Sequence, residues 1–469
     1  MRRILVILFI ITCSQSRGQE VLWASEVIDF SSQQQDFNFP CAYEAIQVLG
    51  KPNTLPEKNE LIKCAWLPGN REVEEFIIVG FVKAIPIKQI AIFQNYESAH
   101  IIKIVLTDQS GVQYNLAERE FIKMGLEEGV YRVVMELTTF DVKQIKVTID
   151  NQRDTQIDAI AISASDEPIV AKINEPRLSK EIDLEVLSSK INSKKYSEIA
   201  PVLTADGKDM YLVRMSNKKR GDKKQNIWHS TKQQNGEWSK AVKLGEPLND
   251  EDDNAVTAIT RDGSEIYVLN HYNKFNESGK KSIGLSKSTY LNGNYSYPRP
   301  VMIENFQALP HKTIIDGLLR SGTYTEFSIS NNQQVLLMGL KRGDTFGQRD
   351  LYVSFLNSDS SYSNPLNLGR RINTAEVEGS PFLADDKRTL YFMSKGHLGY
   401  GNGDLFMSKR LDDTWTNWSE PINLGRSINS ANWDGYISVT KSGTAYLSSK
   451  KDSKVDANIY KCELPENLR

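Results

Sequence analysis

From residue 20 to about 165 the apolar positions fall into short runs. They are Glu75-Phe76-Ile77-Ile78-Val79-Gly80-Phe81, Ile87-Lys88-Gln89-Ile90-Ala91-Ile92-Phe93, Ile101-Ile102-Lys103-Ile104-Val105-Leu106, Tyr131-Arg132-Val133-Val134-Met135 and Val142-Lys143-Gln144-Ile145-Lys146-Val147. β-Branched residues dominate them, several alternate with polar positions, and turn chemistry such as Asp108-Gln109-Ser110-Gly111 separates them. That pattern predicts half-buried strands, and about seven or eight over this length suit two packed sheets. Residues 166–183 carry two prolines and mixed charge without periodicity, which reads as a linker.

From residue 184 the pattern repeats. Tyr211, Tyr267, Leu337, Tyr391 and Tyr446 occupy one column, spaced 56, 70, 54 and 55 residues, and Trp228, Gly284, Tyr352, Phe406 and Tyr460 run in step. The pairs Asp206-Gly207, Asp262-Gly263, Asn331-Asn332, Asp385-Asp386 and Ser442-Gly443 mark a recurring tight turn. Each unit reads as four strands, so five copies predict a five-bladed β-propeller over residues 184–469. The last copy stops after a third strand, and Leu184-Glu185-Val186-Leu187-Ser188 aligns with the fourth-strand columns. The N-terminal strand is therefore expected to complete the last blade.

Met1-Arg2-Arg3 followed by the apolar stretch Ile4 to Ile11 predicts a secretory signal over residues 1–18, with small residues Ser16 and Gly18 before the cut. The competing reading is a lipoprotein box at Cys13, against which Thr12 stands. Export to a periplasmic, surface or secreted location is the expectation, with no membrane-spanning segment. Hydrophobic residues at 40% and charged residues at 25% are those of a globular protein. The 57 basic residues, less Arg2, Arg3 and Arg17, leave 54 against 59 acidic ones, so net charge makes no case for nucleic acid. An oxidising compartment permits a Cys41–Cys64 disulfide, which would stabilise by about 3 kcal/mol if unstrained. The alternative is two free thiols.

Tyr43-Glu44-Ala45-Ile46-Gln47-Val48-Leu49-Gly50-Lys51-Pro52-Asn53 with Cys64-Ala65-Trp66, and the stretch Phe81 to Ile92, resemble the start of galactose-binding-like (discoidin-type) jelly rolls. In that fold the loops at one end hold sugars, lipids or proteins, so Trp66 is either a loop contact or core. The later repeats are similar to the WD40-like propeller units of TolB-type proteins. Arg349-Asp350-Leu351-Tyr352-Val353-Ser354-Phe355 and Leu411-Asp412-Asp413-Thr414-Trp415-Thr416-Asn417-Trp418-Ser419-Glu420-Pro421 resemble exported OmpA-family proteins of Gram-negative envelopes. The C-terminal OmpA-like module of that family has no counterpart here, and peptidoglycan anchoring is not carried over.

No Gly-x-Ser-x-Gly elbow, His-Glu-x-x-His or phosphate-binding loop occurs, and His100, His229, His271, His311 and His397 are scattered. No cofactor or metal is expected. Glu198, Glu378 and Asp434 recur just before the innermost strands, with Asp253 and Glu326 one or two residues off that position. Acids that recur with a repeat more often fix turns, whereas a glycosidase needs two carboxylates in different environments that break the symmetry. The expected function is therefore non-catalytic: binding or scaffolding of an envelope protein or glycan. Lys218, Lys219, Arg220, Lys341, Arg342 and Arg349 on the loops between second and third strands, with Trp66, are the candidate contacts. A glycosidase using channel carboxylates is the alternative.

Overall fold

The computed structural model describes residues 20–469 except 37–40, 55–60, 72, 97–99, 117–120, 128, 153, 217–223, 261, 273–280, 316–317 and 454–455. The signal expected over residues 1–18, with Cys13, and the Lys218-Lys219-Arg220 cluster lie outside the described residues. The chain is all-β, and no helix among the described residues is long and apolar enough to cross a membrane.

The N-terminal part packs two five-stranded antiparallel sheets face to face. One runs in the order Val21–Trp23, Gln156–Ser163, Gln89–Tyr96, Val130–Met135, Phe121–Glu127; the other runs Glu26–Phe30, Glu74–Ile85, Val142–Asp150, His100–Asp108, Gln113–Asn115. Alternation in the sequence becomes alternation in burial: Ile77, Val79 and Phe81 face the core while Phe76 and Ile78 are half-exposed. Gln156–Ser163 is buried along its whole length. Its outer face is covered as well, by a cluster of Ala159, Ala161 and Phe93 with Ile169 and Trp23. Ile169 comes from the segment expected as a linker, which continues against the second half of the chain. There the Asn423 amide donates to the Asn174 carbonyl at 2.8 Å, and Ile182 is buried with Leu424 and Leu464.

Two sequence expectations are corrected in this region. Trp66 is fully buried in the sandwich core and donates its Nε1 proton to the Ser32 carbonyl at 2.9 Å, so it presents no face to a ligand. Cys41 and Cys64 are both buried free thiols and form no disulfide. The Cys41 sulfur faces the Arg370 guanidinium at 3.5 Å, while Cys64 is enclosed where the sandwich meets the repeats, beside Ala375. The same seam is tied by Lys63 to Glu376 at 2.9 Å and Lys51 to Glu420 at 2.7 Å.

The repeats form a β-propeller of antiparallel sheets. Their first strands are Tyr196–Leu203, Val256–Ile259, Glu326–Ile329, Glu378–Leu383 and Asp434–Val439, and each packs against the next, with the last returning to the first. Glu185–Val186 pairs with Asn458–Glu463, Glu185 opposite Lys461 and Val186 opposite Tyr460, so the segment before the first unit completes the last sheet. An extra hairpin, His311–Ile315 with Leu318–Gly322, lies between the second and third units and accounts for the one long spacing in the repeat. The turn columns hold their geometry: in the first unit Asp206 Oδ1 accepts from the Lys208 amide and Gly207 takes φ +66°, and Asp262 with Gly263 at +72° repeats it.

Candidate functional site

The propeller axis is hollow. A cavity of about 420 Å³ runs along it, lined by residues of all the first strands, among them Ala200, Ala258, Glu326, Ser380 and Tyr436. Which acids reach it is decided by strand register.

Glu198, Glu378 and Asp434 do not line it, which corrects their assignment as channel carboxylates. All three are fully buried beside the loop that enters their own strand. Glu378 accepts from the Thr374 amide at 2.8 Å, the Thr374 hydroxyl at 2.7 Å and the Ser394 hydroxyl at 2.7 Å. Asp434 accepts from the Ser430 amide at 2.7 Å, the Ser430 hydroxyl at 3.0 Å and the Ser449 hydroxyl. Glu198 accepts from the Ser193 amide and pairs with Arg214 at 3.0 Å. In the second unit Asn254 does the same work, donating to the Asp252 carbonyl at 2.7 Å. Burial pushes the Glu378 carboxyl up to about 8, with Asp350 adding to it, and pushes Glu198 up to about 7 and Asp434 upward.

Glu326 is different. It stands opposite Gly339, in the register that Ile199, Gly379 and Gly435 hold in the first, fourth and fifth units opposite Val213, Met393 and Ser448. In those three units a bulge follows directly, and its first residue takes a left-handed conformation: Ala200 at φ +53°, Ser380 at +49° and Tyr436 at +49°. The third unit has no such bulge. Its acid enters the channel at a position where the fourth and fifth units have glycine.

There the Glu326 carboxylate is 3.3 Å from the Arg349 guanidinium, accepts from the Tyr436 hydroxyl at 2.9 Å and accepts from the Ser380 amide. Arg349 donates from Nε to the Glu378 carbonyl at 3.1 Å. A Cβ on Gly379 would lie 2.3 Å from Arg349 Nη2 and 2.5 Å from Glu326 Oε2, so a bare backbone is what admits the pair. Burial, and next Glu326, hold the Tyr436 phenol protonated far above its usual range. The Ser380 hydroxyl lines the cavity, is 4% exposed and has no hydrogen-bond partner. Asp253 lines the same end of the channel and accepts from the Gln225 amide at 2.9 Å.

The other expected contacts are mostly turned inward. Arg342 binds Asp344 at 3.2 Å and the Asn305 carbonyl at 3.1 Å, and Lys341 is half-buried. Of the expected basic surface, Arg349 alone reaches the channel among the described residues.

No family model matches the sequence, and no curated protein does. Solved structures do. An α-L-arabinofuranosidase from Lactobacillus brevis is 13% identical, with a TM-score of 0.35, over 59% of this chain and 94% of its own. A B. megaterium levansucrase is 8% identical, at 0.31, over 62% and 86%. A family-32 glycoside hydrolase from Bifidobacterium adolescentis is 9% identical, at 0.31, over 80% and 72%. All three are enzymes, which stands against the expectations of a non-catalytic scaffold and of no enzyme, and at TM-scores this low they carry no argument about the chemistry of this chain. Likeness this distant assigns no residue, and the reading that replaces those expectations rests on the channel.

Proposed function

We propose that the chain is an exported carbohydrate-active enzyme, a glycosidase working in the central channel of a five-bladed propeller. Glu326 is the carboxylate at the reacting centre, and Asp253 is the second, the proton donor to the leaving oxygen. The observation that carries this is the break in repeat symmetry: four units use a buried side chain to fix a loop, and the third sends an acid into the cavity beside an arginine and a tyrosine. Two carboxylates at one site divide the labour only when their surroundings differ. Glu326 is ringed by donors while Asp253 is exposed and bonded to one backbone amide.

The same proposal takes residues 20–165 as a galactose-binding-like sandwich, 166–183 as the linker and 184–469 as TolB-like repeats, with export by the N-terminal signal to the envelope or beyond it. The test is incubation of the pure protein with a panel of aryl glycosides and envelope glycans, beside Glu326→Gln. Turnover by the wild type that falls by about 10²–10⁴-fold in the variant, at unchanged melting temperature, is the expected result. Equal turnover by both, or none by the wild type on any member, overturns the proposal.

A further inference from the structure

Tyr436 brings a transferable proton and a nucleophilic oxygen to the Glu326 carboxylate. Its hydroxyl donates to Glu326 Oε1 at 2.9 Å. Its position is fixed from both sides. Its backbone is held left-handed at φ +49°, and Trp433 stands edge-on to its ring at 5.6 Å between centroids. Gly435 leaves room for that tryptophan, since a Cβ there would lie 2.4 Å from it. Strain of this kind in a bulged strand persists where the surroundings over-determine it.

We propose that Tyr436, with Glu326 as its base, is the nucleophile of the channel, and that the substrate is a glycoside carrying a carboxylate on its anomeric carbon, a 2-ulosonic acid ketoside. The inference rests on the glycosidase reading above and names the substrate class and attacking atom within it. A carboxylate nucleophile approaching such a carbon brings a second full negative charge onto the substrate's own. A neutral phenol reaches that carbon without one, and the charge of the Glu326 carboxylate behind it is matched by Arg349. The substrate carboxylate needs a cation and a donor, and the cavity supplies both beside the dyad: the Arg349 guanidinium and the unpartnered hydroxyl of Ser380.

The step balances without a further reagent. The Tyr436 oxygen bonds to the anomeric carbon as its proton passes to Glu326 Oε1. The bond to the leaving oxygen breaks with its electron pair, and that oxygen takes a proton from Asp253. Water then attacks the same carbon and gives a proton back to Asp253, while the departing phenolate recovers its proton from Glu326. Configuration is retained.

The probes are the 4-methylumbelliferyl ketoside of N-acetylneuraminic acid and the neutral 4-methylumbelliferyl glucoside, galactoside and arabinofuranoside. The full chain is expected to release the fluorophore from the ketoside and not from the neutral set, and Tyr436→Phe to lose at least about 10²-fold. A 3-fluoro-ulosonyl fluoride is expected to leave one sugar mass on Tyr436 of the wild type, a measurement that stands even if the variant folds poorly. Neutral glycosides cleaved by wild type and by Tyr436→Phe alike, but not by Glu326→Gln, overturn this inference and leave the glycosidase reading intact. Ketoside cleavage that survives Tyr436→Phe, or an adduct on another residue, also overturns it. No release from any probe and no adduct overturn this inference, and only with no turnover across the wider panel of aryl glycosides and envelope glycans does the glycosidase reading fall as well.

Discussion

The third and fourth blades start from the same strand plan and put their acids to opposite uses. In the fourth, Glu378 is met by Thr374 and by Ser394 across the strand, and its carboxyl is spent on holding a loop. In the third, Glu326 faces Gly339 across the strand, which offers no side chain, and the carboxylate turns to Arg349 of its own blade and Tyr436 of the fifth. A repeat fixes the position of an acid; the partner opposite it and the bulge beside it decide whether that acid is mortar or a working group.

The contrast breaks if the two acids respond alike to truncation. Glu378→Ala strands two hydroxyl donors and the Thr374 amide in a buried pocket, and Asp434→Ala does the same around Ser430 and Ser449. Each is expected to cost about 2–4 kcal/mol in urea unfolding of the propeller. Glu326 lies in the cavity wall, where water replaces a lost contact, and Glu326→Gln is expected to stay within about 1 kcal/mol of wild type while activity falls. A Glu326 variant as destabilised as Glu378→Ala would make the channel acid one more tie.

Protonation separates them next. The Glu378 carboxyl, raised by burial from its usual 4.5 to about 8, keeps in the folded chain a proton that the unfolded chain has released. Its contribution to stability is therefore full below pH 4.5 and is lost as pH rises towards 8, and Glu198, raised to about 7, acts in the same sense. Urea melts of wild type and Glu378→Gln at pH 5 and pH 8 should show the wild type losing more stability over that interval than the variant. Parallel losses would mean that Glu378 is not the group titrating.

How much of this was legible in the sequence follows from what repeats. The tyrosine column and the Asp-Gly turns are packing and turn chemistry that every blade needs, so five copies reveal them, and the closing strand Glu185–Val186 was legible from the same columns. Trp66 and the cysteines were not. A tryptophan after a polar loop has the same one-dimensional pattern whether it turns outward or, as here, into the core, and a Cys spacing says nothing of where each sulfur points. The channel escaped for a deeper reason. Glu326 sits one register position away from the recurring acids in a blade that lacks the bulge, and in the other units that bulge is made by Ala200, Ser380 and Tyr436, residues whose side chains give no sign of a left-handed backbone. The one clue available was negative: Glu326 failed to align.

The smallest expected change sharpens the contrast most. Gly379 and Gly339 both flank Glu326, but a methyl group on Gly339 would touch its nearest atoms at 3.5 Å, an ordinary contact, whereas one on Gly379 would collide with the ends of Arg349 and Glu326. Those ends are flexible side-chain tips, so Gly379→Ala should cost little stability, within about 1 kcal/mol, the helpful loss of backbone freedom in the unfolded chain offsetting part of the crowding. What it should disturb is the spacing of the guanidinium, the carboxylate and the Tyr436 hydroxyl. A misplacement of about 1 Å at reacting groups lowers rates by about 10²-fold. Gly379→Ala is therefore expected to melt near the wild-type temperature and turn over glycoside markedly more slowly, with Gly339→Ala matching wild type in both. If Gly379→Ala is as active as Gly339→Ala, the close approach of Arg349 and Glu326 to that bare backbone has no part in the chemistry, and the third blade's departure from its neighbours is only a variation in packing.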